Sequence, residues 1–346
     1  MILKNNLSKV LFITLISSFF LACSLTKRVP NDERLLMSNE IFVNDQAESK
    51  ETLSSQLYQK PNSNILGYRL RLHLYNMAKV NPDSSYQAWL DRHPKNERFL
   101  THLLSAKQVD RLGTSFFVSG LGRTLKDLGE APIIYNQERT NRSLIRLKNH
   151  FFNQGYFNTK VSYQADSLQS KKINITYNVR TGKPYVYDSI AVTVHSPELD
   201  SLYKTNRRQS LLKKNDQYNA TKLDEERERI TSFFRNNGAY DFQKTYINYE
   251  IDTLKNTHKA DIYLNIDNKN IKEGDSLRTE PFKLYKISEV NIFTSNTSEN
   301  AQTITDSVQY KNINIYSKGK LNYKPKVLNN AVFIDKDGYF SDMRRL

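Results

Sequence analysis

The spacing of apolar residues changes its period in the middle of the chain. From Leu144 to Phe151 the apolar residues recur at helical spacing, which predicts an amphipathic helix. Beyond Gly155 the period becomes two, first over residues 161–165 and again over residues 173–179. This pattern predicts a helix, a glycine turn and two strands in succession.

The same order of patterns returns later in the chain. "FFNQGYF" near Gly155 is echoed by "FFRNNGAY" near Gly238, 83 residues further on. Two alternating segments follow again, at residues 247–251 and 262–266. Glycine suits the left-handed position that ends a helix, so we interpret Gly155 and Gly238 as structural turns. The phenylalanines are interpreted as the last core residues of each helix.

The second of these helices carries local signals of its own. Thr221 and Asp224 have the spacing of a capping box at its start. Glu225 and Arg229 have the i,i+4 spacing of an ion pair on an exposed face. These signals predict that the helix begins near Thr221.

A further strand opens each unit. "YVYDSIAVTV" (185–194) is echoed by "YKISEVNIFT" (285–294), and the apolar residues after the first of them suggest a short helix around Leu202. The complete unit is therefore β-α-α-β-β. The fold class predicted is α+β, with two helices over a three-stranded mixed sheet, repeated in tandem.

Composition limits the functions to consider. The 346 residues leave room for two or three domains. Lys and Arg outnumber Asp and Glu by 51 to 36, but the two signs are interleaved, so no clustered basic face indicates nucleic-acid binding. We find no spacing typical of a metal site, a phosphate-binding loop or a catalytic nucleophile. The sequence predicts a protein that is not an enzyme and that binds neither cofactor nor metal.

The N-terminus reads as an export signal. Lys4 and Lys9 precede an apolar run over residues 10–22, which is too short to span a bilayer. Cys23, the single cysteine of the chain, follows directly. It is either an incidental thiol near a cleavage site or the lipidated first residue of a mature lipoprotein. We favour lipidation of Cys23 with acyl chains such as palmitate, after removal of residues 1–22.

The β-α-α-β-β order with a glycine after the second helix resembles the POTRA domain. POTRA-type sheets leave an edge strand whose unpaired backbone groups can add an extended peptide. The resemblance implies edge strands at about 157–165 and 243–251. The peptide-binding residues expected there are Val161, Tyr163, Ile247 and Tyr249.

Ordered motifs along the chain are similar to those of a more specific family, the translocation-and-assembly-module lipoprotein of Bacteroidota (TamL), which is related to the BamA/TamA group. Members continue into a C-terminal membrane β-barrel, whereas this chain stops at "GYFSDMRRL". The motifs are "CSLTKRVPNDERLLMSNEIFVN", "QKPNSNILGYRLRLHLYN", "GEAPIIY", "GKPYVYDS", "LDEERERI" and "EPFKLYKISEVNIFT".

The resemblance implies the periplasmic, client-binding part of an outer-membrane β-barrel protein assembly or translocation factor. The lipid anchor would hold it to the periplasmic side of the outer membrane. Its partners would be unfolded outer-membrane proteins and an inner-membrane partner of the translocation module. The alternative is a non-catalytic POTRA scaffold that spaces a lipid anchor from a protein partner.

Four segments are expected. Residues 1–22 are the signal peptide, 23–182 a first POTRA-like domain, 183–270 a second, and 271–346 an incomplete third. The first domain carries a helical insertion at about 61–130. Within it "YRLRLHLY" alternates like a strand, although basic residues and histidine fill the polar positions. Strand and helix both remain open there.

Overall fold

The computed structural model describes residues 25–78, 82–113, 115, 120–253, 258–273, 276–294 and 304–344. The chain divides into two compact units. Unit 1 comprises the residues up to Phe151 together with Asn158–Gly182. Unit 2 comprises Phe152–Phe157 together with Lys183–Leu346.

Unit 1 is built on a four-stranded mixed sheet in the order β2-β1-β4-β3, in which β1 runs parallel to β4 and β3 antiparallel to it. The alternate residues 173–179 of β4 are buried, and the hydroxyl of Tyr177 forms hydrogen bonds with Thr140 and Ser143 of α7. The elements are β1 (Leu35–Val43), β2 (Gln46–Ala47), α1 (Glu51–Ser54), α2 (Leu70–Met77), α3 (Pro82–Arg92), α4 (Pro94–Leu103), α5 (Ala106–Gly113), α6 (Leu121–Leu128), α7 (Gln137–Phe152), β3 (Lys160–Leu168) and β4 (Lys172–Arg180).

The segment "YRLRLHLY" is helical in the structure, where it forms most of α2. Leu72, His73 and Asn76 are buried on one side of this helix. The strand-like alternation is therefore incidental. The helix face that carries Leu72, His73 and Asn76 packs against the rest of unit 1, and this packing decides the conformation, as tertiary context often does for ambiguous segments.

Two buried polar side chains lie one turn apart at the start of α2. Arg69 donates a hydrogen bond to the Met37 carbonyl, but its Nε has no hydrogen-bond partner. His73 is 6% exposed, its Nδ1 likewise has no partner, and its ring stacks on Tyr68 with centroids 4.5 Å apart. Burial lowers the pKa of the His73 imidazole below its ordinary value of 6.5. It also lowers the pKa of His150 on α7.

We expect unit 1 to lose stability as the pH falls from 7.5 to 5.5. A histidine whose pKa is lowered by folding binds fewer protons in the folded state, so the free energy of unfolding falls as the pH drops through 6.5. Urea unfolding across this pH range should show a smaller slope in His73→Gln, and a smaller slope still when His150→Gln is added. A slope identical to that of the parent in both variants would contradict this account.

Unit 2 contains two successive sheets and a separate hairpin. The sheet orders are β5-β7-β6 and β10-β12-β11, and β8 pairs with β9. The elements are β5 (Val186–Val194), α8 (Pro197–Asn206), α9 (Ala220–Asn236), β6 (Ile247–Asp252), β7 (Lys259–Ile266), β8 (Lys269–Glu273), β9 (Ser276–Glu280), β10 (Asn291–Phe293), β11 (Asp306–Tyr310), β12 (Ile313–Ser317) and α10 (Pro325–Ala331).

The predicted fold class is confirmed most clearly by β5–β7 with α8 and α9. These elements follow the chain order β-α-α-β-β; β5 is parallel to β7, and β6 is antiparallel to it. A core cluster joins both helices to the sheet, through Leu199 of α8, Ile230 and Phe234 of α9, and Leu264 of β7. Of the phenylalanines predicted as the last core residues of the two helices, Phe151 and Phe234 are buried, whereas Phe152 is 45% exposed.

The local predictions for α9 are wrong in two details. The helix begins at Ala220, and the side chain of Asn219 caps it by accepting from the Thr221 and Lys222 backbone N–H groups. Arg229 pairs with Glu226 rather than with Glu225, with both nitrogen–oxygen distances at 2.8 Å. The change of ion-pair partner follows from packing, because the Glu226 side of the helix is buried.

The third module differs from the pattern of the first two. β10 covers only Asn291–Phe293 of the predicted first strand 285–294, and the next elements that the structure describes are the β11–β12 hairpin and then α10. Val290, Ile313 and Ile315 form its buried core, and α10 contributes Leu328. The pattern missed the hairpin because each of its strands is only five residues long.

Candidate functional site

The predicted binding strands lie at sheet edges. β3 pairs with β4 on one side, and no other strand of the described residues pairs with it. β6 has the same relation to β7. Both strands begin later than the sequence suggested, at Lys160 and Ile247, because a turn at 156–159 and a 3-10 turn at 244–246 follow the glycines.

Hydrogen bonds on the far side of β4 show which backbone groups of β3 face outward. The Asn44 N–H donates to the Val179 carbonyl at 2.8 Å, so the backbone groups of Val179 point toward β1. Val161 pairs with Val179, and backbone groups alternate in direction along a strand. The N–H and C=O of Val161 therefore point out of the sheet. The backbone N–H and C=O of Tyr163 point the same way, because the register is unbroken between Val161 and Tyr163.

The same reasoning applies to β6, with one difference. The His195 N–H donates to the Ile266 carbonyl at 3.0 Å, and Ile266 pairs with Ile247. The backbone groups of Ile247 and Tyr249 therefore point outward. However, Arg227 Nε donates to the Ile247 carbonyl at 3.0 Å. Arg227 thus occupies one acceptor of this edge, and no spacing in the sequence predicts this contact.

The two tyrosines of the edges are anchored differently. Burial raises the pKa of Tyr135 to about 12, and a hydrogen bond with the Tyr163 side chain adds to the shift. The Tyr249 hydroxyl is buried without a hydrogen-bond partner, and burial raises its pKa as well. The Arg227 guanidinium lies 4.8 Å from the centre of the Tyr249 ring. Their side chains therefore hold the strands in place while the backbone faces outward.

The β3 edge lacks most of the features that usually prevent strand addition. Natural edge strands are often short, bulged, or interrupted by proline or charge. β3 has nine residues in continuous register and contains no proline, and its charged residues are Lys160 at the first position and Asp166 in its second half. β6 has six residues, and its outer part carries Glu250 and Asp252. Of the two, β3 is the more open to an extended partner.

Gly155 and Gly238 are turns in the left-handed region, with φ of +87° and +103°. Each also serves as a docking point within unit 2. The Tyr185 N–H donates to the Gly155 carbonyl at 2.9 Å, and the Tyr285 N–H donates to the Gly238 carbonyl at 2.8 Å. Both tyrosines open the next repeat of the sequence. The turn at Gly238 therefore connects the second and third modules of unit 2 as well as ending a helix.

The surroundings of the two glycines explain why a side chain would not fit. A Cβ at Gly155 would lie 3.0 Å from the Tyr218 Cβ, and a Cβ at Gly238 would lie 2.8 Å from the Tyr339 Cδ1. Arg235, near the end of α9, also forms an ion pair with Asp342 of the third module. We call the contact between the second and third modules at Gly238 the joint, and this joint is closely packed.

Cys23 and the predicted signal peptide lie outside the described residues, so their roles stay predictions. Among the helices that the structure describes, none has the length and apolar character needed to cross a bilayer.

Comparisons with known proteins place part of the chain in a class. The POTRA family (surface antigen variable number repeat) matches residues 122–182, which cover α6, α7, β3 and β4. The chain is also similar to the outer membrane protein assembly factor BamA of Neisseria meningitidis serogroup B. The two are 26% identical over 155 residues, which is 41% of this chain and 19% of the relative. The chain therefore spans about a fifth of the length of that relative.

Solved structures of POTRA domains are also similar to this chain, at lower sequence identity. The POTRA3-5 structure of Haemophilus influenzae BamA is 12% identical, covering 92% of this chain and 85% of that one, with a TM-score of 0.33. The POTRA1-2 structure of Omp85 from Anabaena is 10% identical, covering 68% and 96%, with a TM-score of 0.25. The match of residues 122–182 to the POTRA family and the similarity of part of the chain to BamA agree with the POTRA resemblance seen in the sequence.

Proposed function

We propose that this chain is the periplasmic part of an outer-membrane protein assembly or translocation factor, and that it binds unfolded polypeptide by strand addition. The observation that carries the proposal is the unprotected outer edge of β3, where Val161 and Tyr163 direct backbone groups out of the sheet. Main-chain hydrogen bonds are largely independent of side chains. Such an edge therefore suits clients of many sequences.

Further elements of the proposal rest on the sequence. Cys23 is the lipid attachment site, the mature chain is anchored to the periplasmic side of the outer membrane, and the specific family is TamL. Unfolded outer-membrane proteins are the clients, and an inner-membrane component of the translocation module is a further partner. We also propose the domain limits of 23–182, 183–270 and 271–346, with a helical insertion at about 61–130.

A non-catalytic scaffold is the second proposal, and the joint at Gly238 favours it. Tyr285, Tyr339 and the Arg235–Asp342 ion pair hold successive modules of unit 2 together. A closely packed joint suits a spacer between a lipid anchor and a protein partner. The two proposals differ in whether the β3 edge contacts a client.

Replacing Tyr163 by proline tests the client-binding proposal. Proline removes the outward N–H and places its ring at the edge, while the ladder to β4 does not use this N–H. A photo-crosslinking residue at the exposed Ser162 would be exposed to a urea-denatured porin diluted into buffer. We expect Tyr163→Pro to reduce crosslinking at least about fivefold, since one hydrogen bond is worth about 1 kcal/mol. Tyr249→Pro should act similarly at β6.

Tyr163→Ala is the matched control, because it also removes the side chain and its contact with Tyr135 but keeps the N–H. Crosslinking should persist in this variant. Circular dichroism and urea unfolding would show that both variants fold. Equal crosslinking in folded Tyr163→Pro and Tyr163→Ala would exclude the β3 edge. Absence of crosslinking even in the parent would favour the scaffold.

A further inference from the structure

The first residues that the structure describes are held against α2. Leu25 packs against the buried cluster that contains Leu72. Asn76 Nδ2 donates to the Leu25 carbonyl at 3.0 Å. The Arg28 guanidinium donates to the Ala78 carbonyl, where α2 ends. These contacts join the N-terminal segment to α2 from its first turn to its end.

We call the segment 25–28, with these contacts to α2, the clamp. Cys23 is two residues before Leu25, and two residues of chain span at most about 7 Å. The clamp therefore fixes where the proposed lipid anchor leaves the protein. α3 begins at Pro82, four residues after Ala78, so it starts at most about 14 Å from the clamped end of α2.

The next helix, α4, carries an exposed pair of apolar residues. No residue of α4 is buried. Phe99 and Leu103 are 65% and 69% exposed, and they lie one turn apart on the same face. α4 contacts α3 and α5, and Leu100, on another side of the helix, is half-buried. Phe99 and Leu103 therefore remain available to an external surface.

Basic residues border this apolar face. Each residue turns a helix by about 100°, which places Lys95 and His102 directly beside the apolar pair and Arg98 next to them on the flank. Glu97, the single acidic residue of α4, falls on the opposite half of the helix. Apolar side chains with basic residues beside them are typical of helices that lie in a membrane interface.

We infer that the Phe99 face of α4 lies in the phospholipid headgroup region of the membrane that holds the lipid anchor. The clamp keeps the anchor point on the same unit as α4, so α4 meets that membrane at a high effective concentration. Two apolar side chains with basic neighbours then suffice, although alone they would bind weakly. The inference rests on the proposed lipidation of Cys23 and gives the helical insertion a function.

A second attachment changes how unit 1 is presented. An acyl anchor on one residue lets the protein rotate about it, whereas attachment through both the clamp and α4 fixes the orientation of unit 1 relative to the bilayer. The β3 edge belongs to the same unit. Its direction relative to the membrane surface would therefore be fixed as well.

A chemically tethered form of the chain tests this inference. Cys23 is the single cysteine, so the proposed mature chain, without residues 1–22, can be coupled through this thiol to a maleimide phospholipid. The vesicles contain phosphatidylethanolamine and phosphatidylglycerol. Trp89 is the single tryptophan, and Trp89→Phe removes its signal so that Phe99→Trp reports alone. Ile145→Trp is the matched control, because Ile145 is 60% exposed on α7 of the same unit.

Phospholipids brominated in their acyl chains quench a tryptophan that reaches them. An interfacial helix buries its apolar face about 5–10 Å, so we expect quenching at least about threefold stronger in Phe99→Trp than in Ile145→Trp. Adding Lys95→Glu with Arg98→Glu should lower the quenching at least about fivefold, because each basic residue near an anionic surface is worth about a factor of five in binding. Circular dichroism would show that these exposed substitutions leave the fold intact.

The outcomes separate this inference from the proposed function. Equal quenching in Phe99→Trp and Ile145→Trp would overturn the inference, and crosslinking of the urea-denatured porin to a photo-crosslinking residue at position 99 would then assign the face to a protein client. Client crosslinking at Ser162 is independent of either result. Mass spectrometry of the chain from bacterial membranes tests the anchor. Cys23 without acyl chains would overturn the anchor and this inference together, whereas acylated Cys23 with equal quenching would overturn this inference alone.

Discussion

Gly238→Ala is expected to lower the free energy of unfolding of unit 2 by about 2–5 kcal/mol. The left-handed φ of +103° costs a residue with a Cβ about 1–2 kcal/mol. The new Cβ would also lie 2.8 Å from the Tyr339 Cδ1 and 3.2 Å from the Leu284 Cβ. Overpacking of this kind adds about 1–3 kcal/mol. Urea unfolding of the parent and the variant would measure the difference.

Gly319→Ala is the matched control in the same unit. Gly319 also has a positive φ, +75°, but a Cβ there would meet nothing within 4 Å. Gly319→Ala should therefore lower the free energy of unfolding only by the backbone cost of about 1–2 kcal/mol. Adding Tyr339→Ala to Gly238→Ala should relieve the overlap, so that the double variant is more stable than the sum of the single changes predicts. Equal costs at both glycines would contradict a packed joint.

Arg229→Met is expected to destabilise unit 2 by about 3–5 kcal/mol, because it leaves the carboxylate of Glu226 buried without its cation. The Glu226 side chain is 0% exposed and that of Arg229 is 18% exposed. The same carboxylate accepts from the Leu211 N–H at 3.0 Å, which ties the segment before α9 to the helix. Thermal or urea unfolding would report the loss.

Two further variants separate the buried charge from the loss of packing. Lys204→Met removes the Asp200 partner on α8, a pair of similar length at 2.6 Å in which the lysine side chain is 70% exposed. It should cost less than about 1 kcal/mol. Glu226→Gln combined with Arg229→Met removes both charges and keeps an acceptor for Leu211, so it should recover most of the stability. A double variant as unstable as Arg229→Met would show that packing dominates.

The candidate site shows which features of a binding edge the local sequence pattern can predict and which it cannot. Val161 and Tyr163 were expected at an edge from the POTRA resemblance, and the structure places them there with their backbone groups pointing outward. Their binding role stays a prediction. The hydrogen bond from Arg227 to Ile247 could not be predicted, because it joins residues 20 apart whose distance depends on how α9 lies on the sheet.

The sequence by itself determined the repeated unit, the glycine turns and the α+β class, because apolar periodicity and helix termination are properties of neighbouring residues. Only the tertiary structure decided that α2 is a helix, that Glu226 is the buried partner of Arg229, and that β12 lies beside β10. Each of these depends on which distant surface a segment packs against. Burial and strand pairing are set by contacts between residues far apart in the chain, and those contacts leave no regular spacing in the sequence.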